Sequence, residues 1–327
     1  MKASGSLFGL AYGDALGAAT EFLSVAEIER RFGAGGPADL EGQPAKVTDD
    51  TQMTLAVARA LADVVPWPEP VEAALREHFV EWWRDPENNR APGLTCLEAC
   101  ERLATGLSWT EASRRRSKGC GANMRVAPVG LVHGWEDHTR AAVAQFQSAL
   151  THGHPTALAA SELTAFAVHW LRHGLHPRDL PAALRTRAHE QRTTYHVDWL
   201  EDLWTGPAAT TPEDFIARGW DECLRVLDNL DSALAHPDPE EDPCRATGEG
   251  WVAEEALGTA LHCFLLFPDD PVRVLRRAAT TSGDSDSIAC LAGAFAGACH
   301  GFEAWPEDWQ HRIEYGAELA RFGRLWD

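Results

Sequence analysis

The stretch VTDDTQMTLAVARALADVV, residues 47–65, holds the clearest helical pattern of the chain and an unusual beginning to it. From Met53 to Val65 the apolar residues recur three and four positions apart, the spacing of an amphipathic α-helix. Thr48 stands where an N-cap residue is expected, and the carboxylates of Asp49 and Asp50 would face the positive end of the helix dipole. Capping alone accounts for these residues, so any function depends on what lies beside them.

The same spacing recurs over most of the sequence. Further helices are predicted at residues 71–83, 95–104, 140–150, 157–173, 214–234, 254–267 and 287–300. Alternating apolar and polar residues, the pattern of a half-buried strand, are scarce, and Pro, Gly and Asn cluster between the helices. No linker is long enough to require a division of the chain into two domains. We therefore predict an all-α protein with one domain over residues 1–327.

Composition narrows the function classes. The chain has 327 residues, 45% of them apolar, which is enough to bury a large core. A net charge of −20 argues against non-specific binding to nucleic acid or anionic lipid, although solubility alone explains much of it. No secretion signal and no run of about 18 apolar residues is evident. The eight cysteines form no Cys-x-x-Cys pair, which fits reduced thiols and a cytoplasmic location.

A second acidic segment, TSGDSDS at residues 281–287, precedes another apolar helix. Capping explains one Asp or Ser of this segment but not the whole cluster. A calcium-binding EF-hand loop is excluded, because Ala289 and Phe295 occupy the positions that require Gly and Glu. Gly293 and Gly297 permit close approach to a neighbouring helix. The acidic start of this helix is therefore expected to point into a cleft or the core.

Glu21 follows a helical stretch of small residues and is the third carboxylate group of interest. A solvated glutamate at a helix end is its simplest interpretation. If the three elements converge, five carboxylates share one cleft and repel one another unless cations are bound. Oxygen ligands with hydroxyl help from Thr48 and Ser287 suit Mg²⁺ or Mn²⁺ better than a structural zinc ion.

Six segments together resemble the ADP-ribosylglycohydrolase family, in family order and over nearly the whole chain. They are residues 9–17 with Glu21, 48–53, 119–128, 150–152, 250–257 and 283–287. The resemblance implies a compact orthogonal all-α domain with a cleft for two Mg²⁺ or Mn²⁺ ions. The family's metal ligands carry over to Glu21, Thr48, Asp49, Asp50, Asp284, Asp286 and Ser287.

Two departures from the family pattern matter. The family usually has Thr where Ser287 stands, and Ser keeps the hydroxyl. It usually has Asn where Cys120 stands, and cysteine lacks the amide donor and acceptor. The second departure is expected to affect substrate preference more than chemistry.

The reaction implied by the resemblance is hydrolysis of the bond between the distal ribose C1 of ADP-ribose and a side-chain nitrogen or oxygen. Its transition state should resemble an oxocarbenium ion, and the metals would hold the ribose hydroxyls and orient a water. A carboxylate must act on that water or on the leaving group, and Glu21, Asp49 and Asp50 are the candidates. An ordinary retaining pair of carboxylates is the alternative.

Candidate substrate contacts lie mainly in the loop at residues 119–128. Glycine at two positions would let the loop approach a phosphate, and its arginine could pair with phosphate or with a carboxylate. The run Arg114–Arg116 with Lys118 is either a solvated surface or an attractor for the substrate. The predicted contacts are Asn89, Gly119, Gly121, Asn123, Met124, Arg125 and His152.

The sequence does not determine which ADP-ribose linkage is cleaved. Arginine-linked ADP-ribose on protein is the first choice, because the match looks closest to the bacterial branch that activates dinitrogenase reductase. Serine-linked, nucleic-acid-linked and small-molecule conjugates are alternatives. A protein that binds and neutralises an ADP-ribosyltransferase, as an immunity protein does, is the alternative from another class. A purely structural role is disfavoured, because an unused charge cluster would destabilise the fold.

Overall fold

The computed structural model describes residues 1–206 and 209–327, and the regular structure in these ranges is helical. No strand occurs there, only isolated bridges between Gly42 and Ala45, Ala45 and Ile313, and Gly119 and Val252. The prediction of an all-α fold is confirmed. The helices are α1 (Lys2–Gly17), α2 (Val25–Phe32), α3 (Asp49–Leu61), α4 (Pro68–Arg84), α5 (Leu94–Ala104), α6 (Trp109–Ala112), α7 (Ala127–Leu131), α8 (Asp137–Ala149), α9 (Pro155–Arg172), α10 (Leu180–Glu190), α11 (Val197–Leu200), α12 (Pro212–Ala235), α13 (Cys244–Thr247), α14 (Ala253–Leu266), α15 (Pro271–Ala278), α16 (Ser285–His300), α17 (Glu307–Arg312) and α18 (Gly316–Trp326).

All eight helices predicted from apolar spacing are present, with ends that move by a few residues. The largest difference is at α3, which was expected to reach Val65 but ends at Leu61. Pro66 and Pro68 follow closely, and proline restricts the residue before it to extended conformations. Helices α2 and α18 were not predicted; the eight residues of α2 give too little periodicity to detect.

Helices α1 and α16 form the centre of the fold and run antiparallel, with their backbones in contact. Gly5, Gly9, Gly13 and Gly17 recur every four residues on the face of α1 that meets α16. A Cβ atom added to Gly13 would lie 2.0 Å from the Ala289 carbonyl oxygen, and one added to Gly17 would lie 2.3 Å from the Asp286 Cα. This contact brings the end of α1 beside the beginning of α16.

The remaining helices surround this pair. Helix α9 packs against α7, α8, α12 and α14, while α14 and α15 pack against α16. Helices α18 and α3 contact α1, and α4 covers α3. All eight cysteines are free, and seven of them are buried. In the two described ranges, every helix is too short or too polar to span a bilayer.

Candidate active site

The acidic segments that sequence analysis singled out meet at one end of the central helix pair. Glu21 follows α1, Asp49 and Asp50 begin α3, and Asp284 and Asp286 begin α16. One ligand oxygen from each of Glu21, Asp284 and Asp286 lies within 4.8 Å of the other two. Asp49 and Asp50 line the same cavity, so three elements that are far apart in the chain supply carboxylates to one site.

Asp14 is a carboxylate of this region that sequence analysis did not select as a site residue. It is fully buried in α1 and accepts hydrogen bonds from Thr48 N at 2.9 Å, Thr48 Oγ1 at 2.8 Å, Thr51 N at 3.0 Å and Thr51 Oγ1 at 2.5 Å. These bonds tie α1 to the first turn of α3. The available signal was a single Asp among small and apolar helical residues, since an acid that is fully buried needs partners.

The first turn of α16 is held from outside the helix. Asp284 N donates to the Glu249 carbonyl oxygen at 2.8 Å, and Gly283 lies so close to Glu249 that a Cβ would be 1.9 Å from the same oxygen. Ser287 N donates to Asp286 Oδ1 at 2.9 Å. Asp284, Asp286 and Ser287 are all buried, so their oxygens have fixed positions.

The carboxylates of this cluster repel one another and are partly removed from water. Burial, followed by the charge of Asp286, raises the pKa of Asp14 to about 7 and of Glu21 to about 9. The same two causes raise the pKa of Asp49, Asp50 and Asp284 well above the ordinary value. Across the described ranges no Lys, Arg or His nitrogen forms an ion pair with these groups.

The residues present fit divalent cations. The site offers carboxylate and hydroxyl oxygens, the hard donors that Mg²⁺ and Mn²⁺ prefer. Asp50 Oδ1 is buried without a hydrogen-bond donor, although buried acceptors are nearly always satisfied. A cation would satisfy this oxygen and also neutralise the repulsion around it.

We expect the cation-free protein to lose stability as pH rises. The folded-state pKa values of about 7 for Asp14 and about 9 for Glu21 exceed the unfolded value of about 4, so the folded state binds more protons between these limits. The free energy of unfolding must then fall from pH 5 to pH 9. Melting temperatures after treatment with a chelating resin would test this, and added Mn²⁺ should restore stability at pH 9. A melting temperature that rises over this range would contradict the assignment.

The cluster forms the floor of a cavity of about 320 Å³. Four of the seven predicted substrate contacts line it, namely Gly119, Gly121, Met124 and His152. Phe22, Cys96, Cys120 and Trp251 also line it and were not predicted as contacts. Among the predicted metal ligands Thr48 lies behind the wall, where its hydroxyl donates to Asp14 at 2.8 Å.

The loop around Gly119 and Gly121, here called the glycine loop, forms one wall of the cavity and exposes main-chain atoms at these two residues. A Cβ on Gly121 would lie 2.9 Å from Cys96 Sγ and 3.2 Å from His152 Cε1. Between the two glycines, Cys120 N donates to the Trp251 carbonyl oxygen at 3.2 Å. Its Sγ lies 2.9 Å from Asp284 Oδ2 and 3.1 Å from Ser287 Oγ. Burial and the Asp284 charge raise the pKa of this thiol, which therefore stays protonated and donates.

Arg125 does not line the cavity in which a phosphate would bind, and it forms no ion pair with a carboxylate. Its fully buried guanidinium donates to Gln147 Oε1 at 2.9 Å and to Thr151 Oγ1 at 2.8 Å, and lies 4.3 Å from the centre of the Phe79 ring. Thr151 Oγ1 is in turn 2.8 Å from His152 Nδ1. Burial and the Arg125 charge lower the pKa of His152 to about 3. Arg125 thus positions a neutral imidazole.

Asn123 and Asn89 are the other two predicted contacts outside the cavity. Asn123 is fully buried and donates to the Ala253 carbonyl oxygen at 3.0 Å. Asn89 is exposed and donates to the Pro86 carbonyl oxygen at 3.2 Å. The turn at residues 89–93, of which Ala91 and Gly93 line the cavity, is held by Arg90, which donates to the Val47 carbonyl oxygen at 2.7 Å. Asn123 therefore supports the site from behind, whereas Asn89 lies on the surface.

Comparison with known proteins agrees with this arrangement. A sequence model described as ADP-ribosylglycohydrolase matches residues 1–327. The chain belongs to this family. The predicted resemblance is thereby confirmed, as is the prediction of an enzyme of the ADP-ribosylglycohydrolase class.

Relatives whose names state an activity align with most of the chain. ADP-ribosyl-[dinitrogen reductase] glycohydrolase of Rhodospirillum rubrum is 26% identical over 97% of this chain and 92% of its own length. ADP-ribosylarginine hydrolase Tri1 of Serratia proteamaculans is 28% identical over 95% of this chain and 75% of its own. ADP-ribosylhydrolase ARH3 of Homo sapiens is 27% identical over 86% of this chain and 78% of its own. These names support removal of ADP-ribose from a modified target.

The fold is also that of a solved structure in this class. A chain of an ADP-ribosylglycohydrolase-related protein complex superposes with a TM-score of 0.67, covering 99% of this chain and 96% of the other at 24% identity. This likeness bears on the fold alone.

The basic run of this ADP-ribosylglycohydrolase lies beside its acidic site. Arg114, Arg115 and Arg116 line a second cavity of about 530 Å³, and Leu94 and Thr95 line both cavities. Arg114 pairs with Glu98 at 3.0 Å, whereas Lys118 points elsewhere and pairs with Glu222 at 2.8 Å. The run therefore divides, and only its arginines lie near the site.

Proposed function

We propose that this ADP-ribosylglycohydrolase removes ADP-ribose from arginine side chains of modified proteins and uses two Mg²⁺ or Mn²⁺ ions to do so. The observation that carries the proposal is the carboxylate cluster from three chain segments on the floor of a cavity of about 320 Å³. That volume is within the range of small-ligand sites, about 300–1,000 Å³. Serine-linked, nucleic-acid-linked and small-molecule conjugates remain the alternatives for the linkage.

The proposed cation ligands are the carboxylates of Glu21, Asp49, Asp50, Asp284 and Asp286, with the hydroxyls of Thr48 and Ser287. Bound cations would supply electrostatic stabilisation and would orient the ribose hydroxyls. Carboxylate oxygens that are not bound to a cation would also stabilise the positive charge that develops at the ribose C1, as in other glycoside hydrolysis. Asp14 supports this set from below by fixing Thr48.

Glu21 is our choice among Glu21, Asp49 and Asp50 for the group that moves a proton. Asp49 and Asp50 are buried, with 6% and 2% of their surface exposed, whereas Glu21 is half-buried at the cavity mouth. A general acid or base must reach the water or the leaving group directly. Its raised pKa also lets Glu21 hold a proton near neutral pH when cations are absent.

The opposite wall suits the dinucleotide part of the substrate. Gly119 and Gly121 expose backbone there, and His152 is neutral, so neither repels a diphosphate. The cavity beside Arg114, Arg115 and Arg116 offers positive charge next to this wall. We therefore propose that the diphosphate lies toward the glycine loop and the arginines.

Two aromatic side chains at the mouth favour an arginine leaving group. Phe22 and Trp251 stack with their ring centres 5.8 Å apart and their planes 15° apart. They are 70% and 40% exposed, so their rings are open to a ligand at the cavity mouth. A guanidinium stacks well on such a face and gains a cation–π interaction, which a serine hydroxyl cannot provide.

Replacing Trp251 by alanine should raise KM for an arginine-linked substrate by about fivefold, because a cation–π interaction is worth about 1 kcal/mol. Its backbone bond to Cys120 would remain, so kcat should change little. Steady-state kinetics would measure both. Trp67→Ala, at a 66% exposed tryptophan outside the site, is the control, and Trp251→Phe should restore KM. A KM that rises equally for a serine-linked substrate would contradict the guanidinium contact.

The test of the proposed function is release of free ADP-ribose from an arginine-ADP-ribosylated protein, followed by chromatography. Release with Mg²⁺ or Mn²⁺ that stops after chelation and resumes when the ion is restored would support both the reaction and the cations. Release only from serine-linked or nucleic-acid-linked substrate would overturn the arginine assignment. A stable complex with an ADP-ribosyltransferase and no turnover would favour the neutralising role instead.

We further propose that residues 1–327 act as one domain and that the enzyme works in the cytoplasm. The free state of all eight cysteines supports a reducing compartment.

A further inference from the structure

A different cavity, of about 400 Å³, lies along helix α15 and shares no residue with the carboxylate site. Arg273, Arg276 and Arg277 line it from the helix. Gly35, on the loop after α2, lines the other side, and a Cβ there would be 3.2 Å from Arg276 Nη2. The glycine therefore leaves the guanidinium free to lie along the loop.

In the part of the chain that the structure describes, these arginines have no acidic partner, in a chain that carries 49 acidic residues against 29 Lys and Arg. Other arginines of the protein do form ion pairs, for example Arg59 with Glu318 and Arg312 with Asp39. Within residues 1–206 and 209–327, however, no carboxylate oxygen lies within 4.0 Å of the guanidinium nitrogens of Arg273, Arg276 or Arg277. Three unpaired cations in one concavity create a strong local positive potential.

Two of the three are partly removed from water. Arg276 Nε and Arg277 Nε are buried and have no hydrogen-bond acceptor. Arg277 directs its terminal nitrogens to the carbonyl oxygens of Pro239, at 3.3 Å, and Thr280. Arg276 donates no side-chain hydrogen bond within the described ranges, so its terminal nitrogens are available to an acceptor in the cavity.

Two carboxylates also line the cavity and offset part of this charge, but neither pairs with a guanidinium. Asp270 is committed to the N-terminus of α15, where its Oδ1 accepts from Arg273 N at 3.1 Å. Glu240 is exposed on the loop before α13 and pairs with none of the arginines. Phe267 also lines the cavity, and the Arg273 guanidinium carbon lies 4.0 Å from the centre of its ring.

We propose that this cavity binds a small molecule bearing a phosphate or diphosphate group, at a site separate from the carboxylate pocket. Arg273 and Arg276 supply charge-assisted hydrogen bonds to the phosphate oxygens, a match that the guanidinium geometry favours. Arg277 holds the loop at Pro239 in position. The volume of about 400 Å³ also leaves room for an organic group beside the phosphate.

Isothermal titration calorimetry with inorganic pyrophosphate tests the proposal, on full-length protein passed over chelating resin so that no cation bridges anion and carboxylates. One molecule should bind at this site per chain. Any second molecule at Arg114–Arg116, where we place the diphosphate of the substrate, should be lost in Arg116→Gln, which should leave the Kd of the first site unchanged. Arg276→Gln should weaken Kd at least about tenfold, and Arg273→Gln with Arg276→Gln should weaken it further, because each charged hydrogen bond contributes at least about that factor. Asp286→Asn, in the other pocket, should leave Kd unchanged.

Arg321→Gln is the matched control, since Arg321 is also an exposed arginine over a phenylalanine ring, 4.9 Å above Phe322. Melting temperatures of all variants verify folding. No heat of binding at millimolar pyrophosphate would overturn the proposal. So would equal weakening by Arg321→Gln, or a Kd that the double variant leaves within twofold.

Discussion

Asp286→Asn should abolish hydrolysis of ADP-ribosyl-arginine while leaving the helical content of the protein unchanged. Asp286 is the carboxylate whose charge acts most strongly on Asp14, Asp49, Asp50 and Asp284, so it lies at the electrostatic centre of the cluster. Loss of an outer partner of a metal ligand costs about 10- to 100-fold in activity or affinity, and loss of a proposed ligand should exceed that range. Initial rates of ADP-ribose release, with Mn²⁺ titrated, would measure the loss.

The same substitution should not destabilise the cation-free protein. Removing one negative charge relieves the repulsion that Glu21 and its neighbours experience, so the melting temperature should stay equal or rise. Asp49→Asn should behave in the same way. Asp228→Asn, at an exposed aspartate that pairs with Arg185, is the control and should keep full activity. Full activity of Asp286→Asn or Asp49→Asn would rule out the two-cation assignment.

Gly13→Ala should have the largest effect on stability. In an isolated helix this change is favourable by about 1 kcal/mol. Here the new methyl group would lie 2.0 Å from the Ala289 carbonyl oxygen, and main chain cannot rotate away. We expect a net loss of about 3 kcal/mol or more, the upper range for overpacking, which corresponds to a fall in melting temperature of roughly 6 °C or more.

Gly316→Ala is the matched control. Gly316 is also helical, as the first residue of α18, but the nearest atom to an added Cβ is Ile313 Cγ2 at 3.5 Å, an ordinary contact. Its melting temperature should be unchanged or slightly higher. Denaturant unfolding would measure the free energy of unfolding of both variants, and equal m values would make the two directly comparable. A Gly13→Ala protein as stable as the parent would show that α1 and α16 are not in backbone contact.

Much of the arrangement was predictable from sequence because it depends on local patterns. Apolar spacing predicted the long helices, and the two acidic helix starts with Glu21 predicted which carboxylates meet. Gly293 and Gly297 indicated a close helix contact, and both lie against α1. The convergence itself followed only from the resemblance, since no local rule states which helix ends are neighbours.

The differences between the sequence analysis and the structure concern the direction of side chains. Met124 lines the cavity, whereas Asn123 and Arg125 on either side of it point into the protein. A loop without regular periodicity does not reveal which of its residues face a ligand. Asp14 was passed over for a related reason, because its partners at Thr48 and Thr51 lie more than thirty positions away in sequence. Trp251 was one of thirteen tryptophans, and its exposure is visible only in three dimensions.

The main-chain contact between α1 and α16 also limits how this enzyme can evolve. Where two side chains meet, a larger residue on one helix can be rescued by a smaller residue on the other. The atoms opposite Gly13 are main-chain atoms of Ala289 and Cys290, which every amino acid possesses. A selection for second-site suppressors of a Gly13 variant should therefore return revertants at Gly13 and no compensating change on α16.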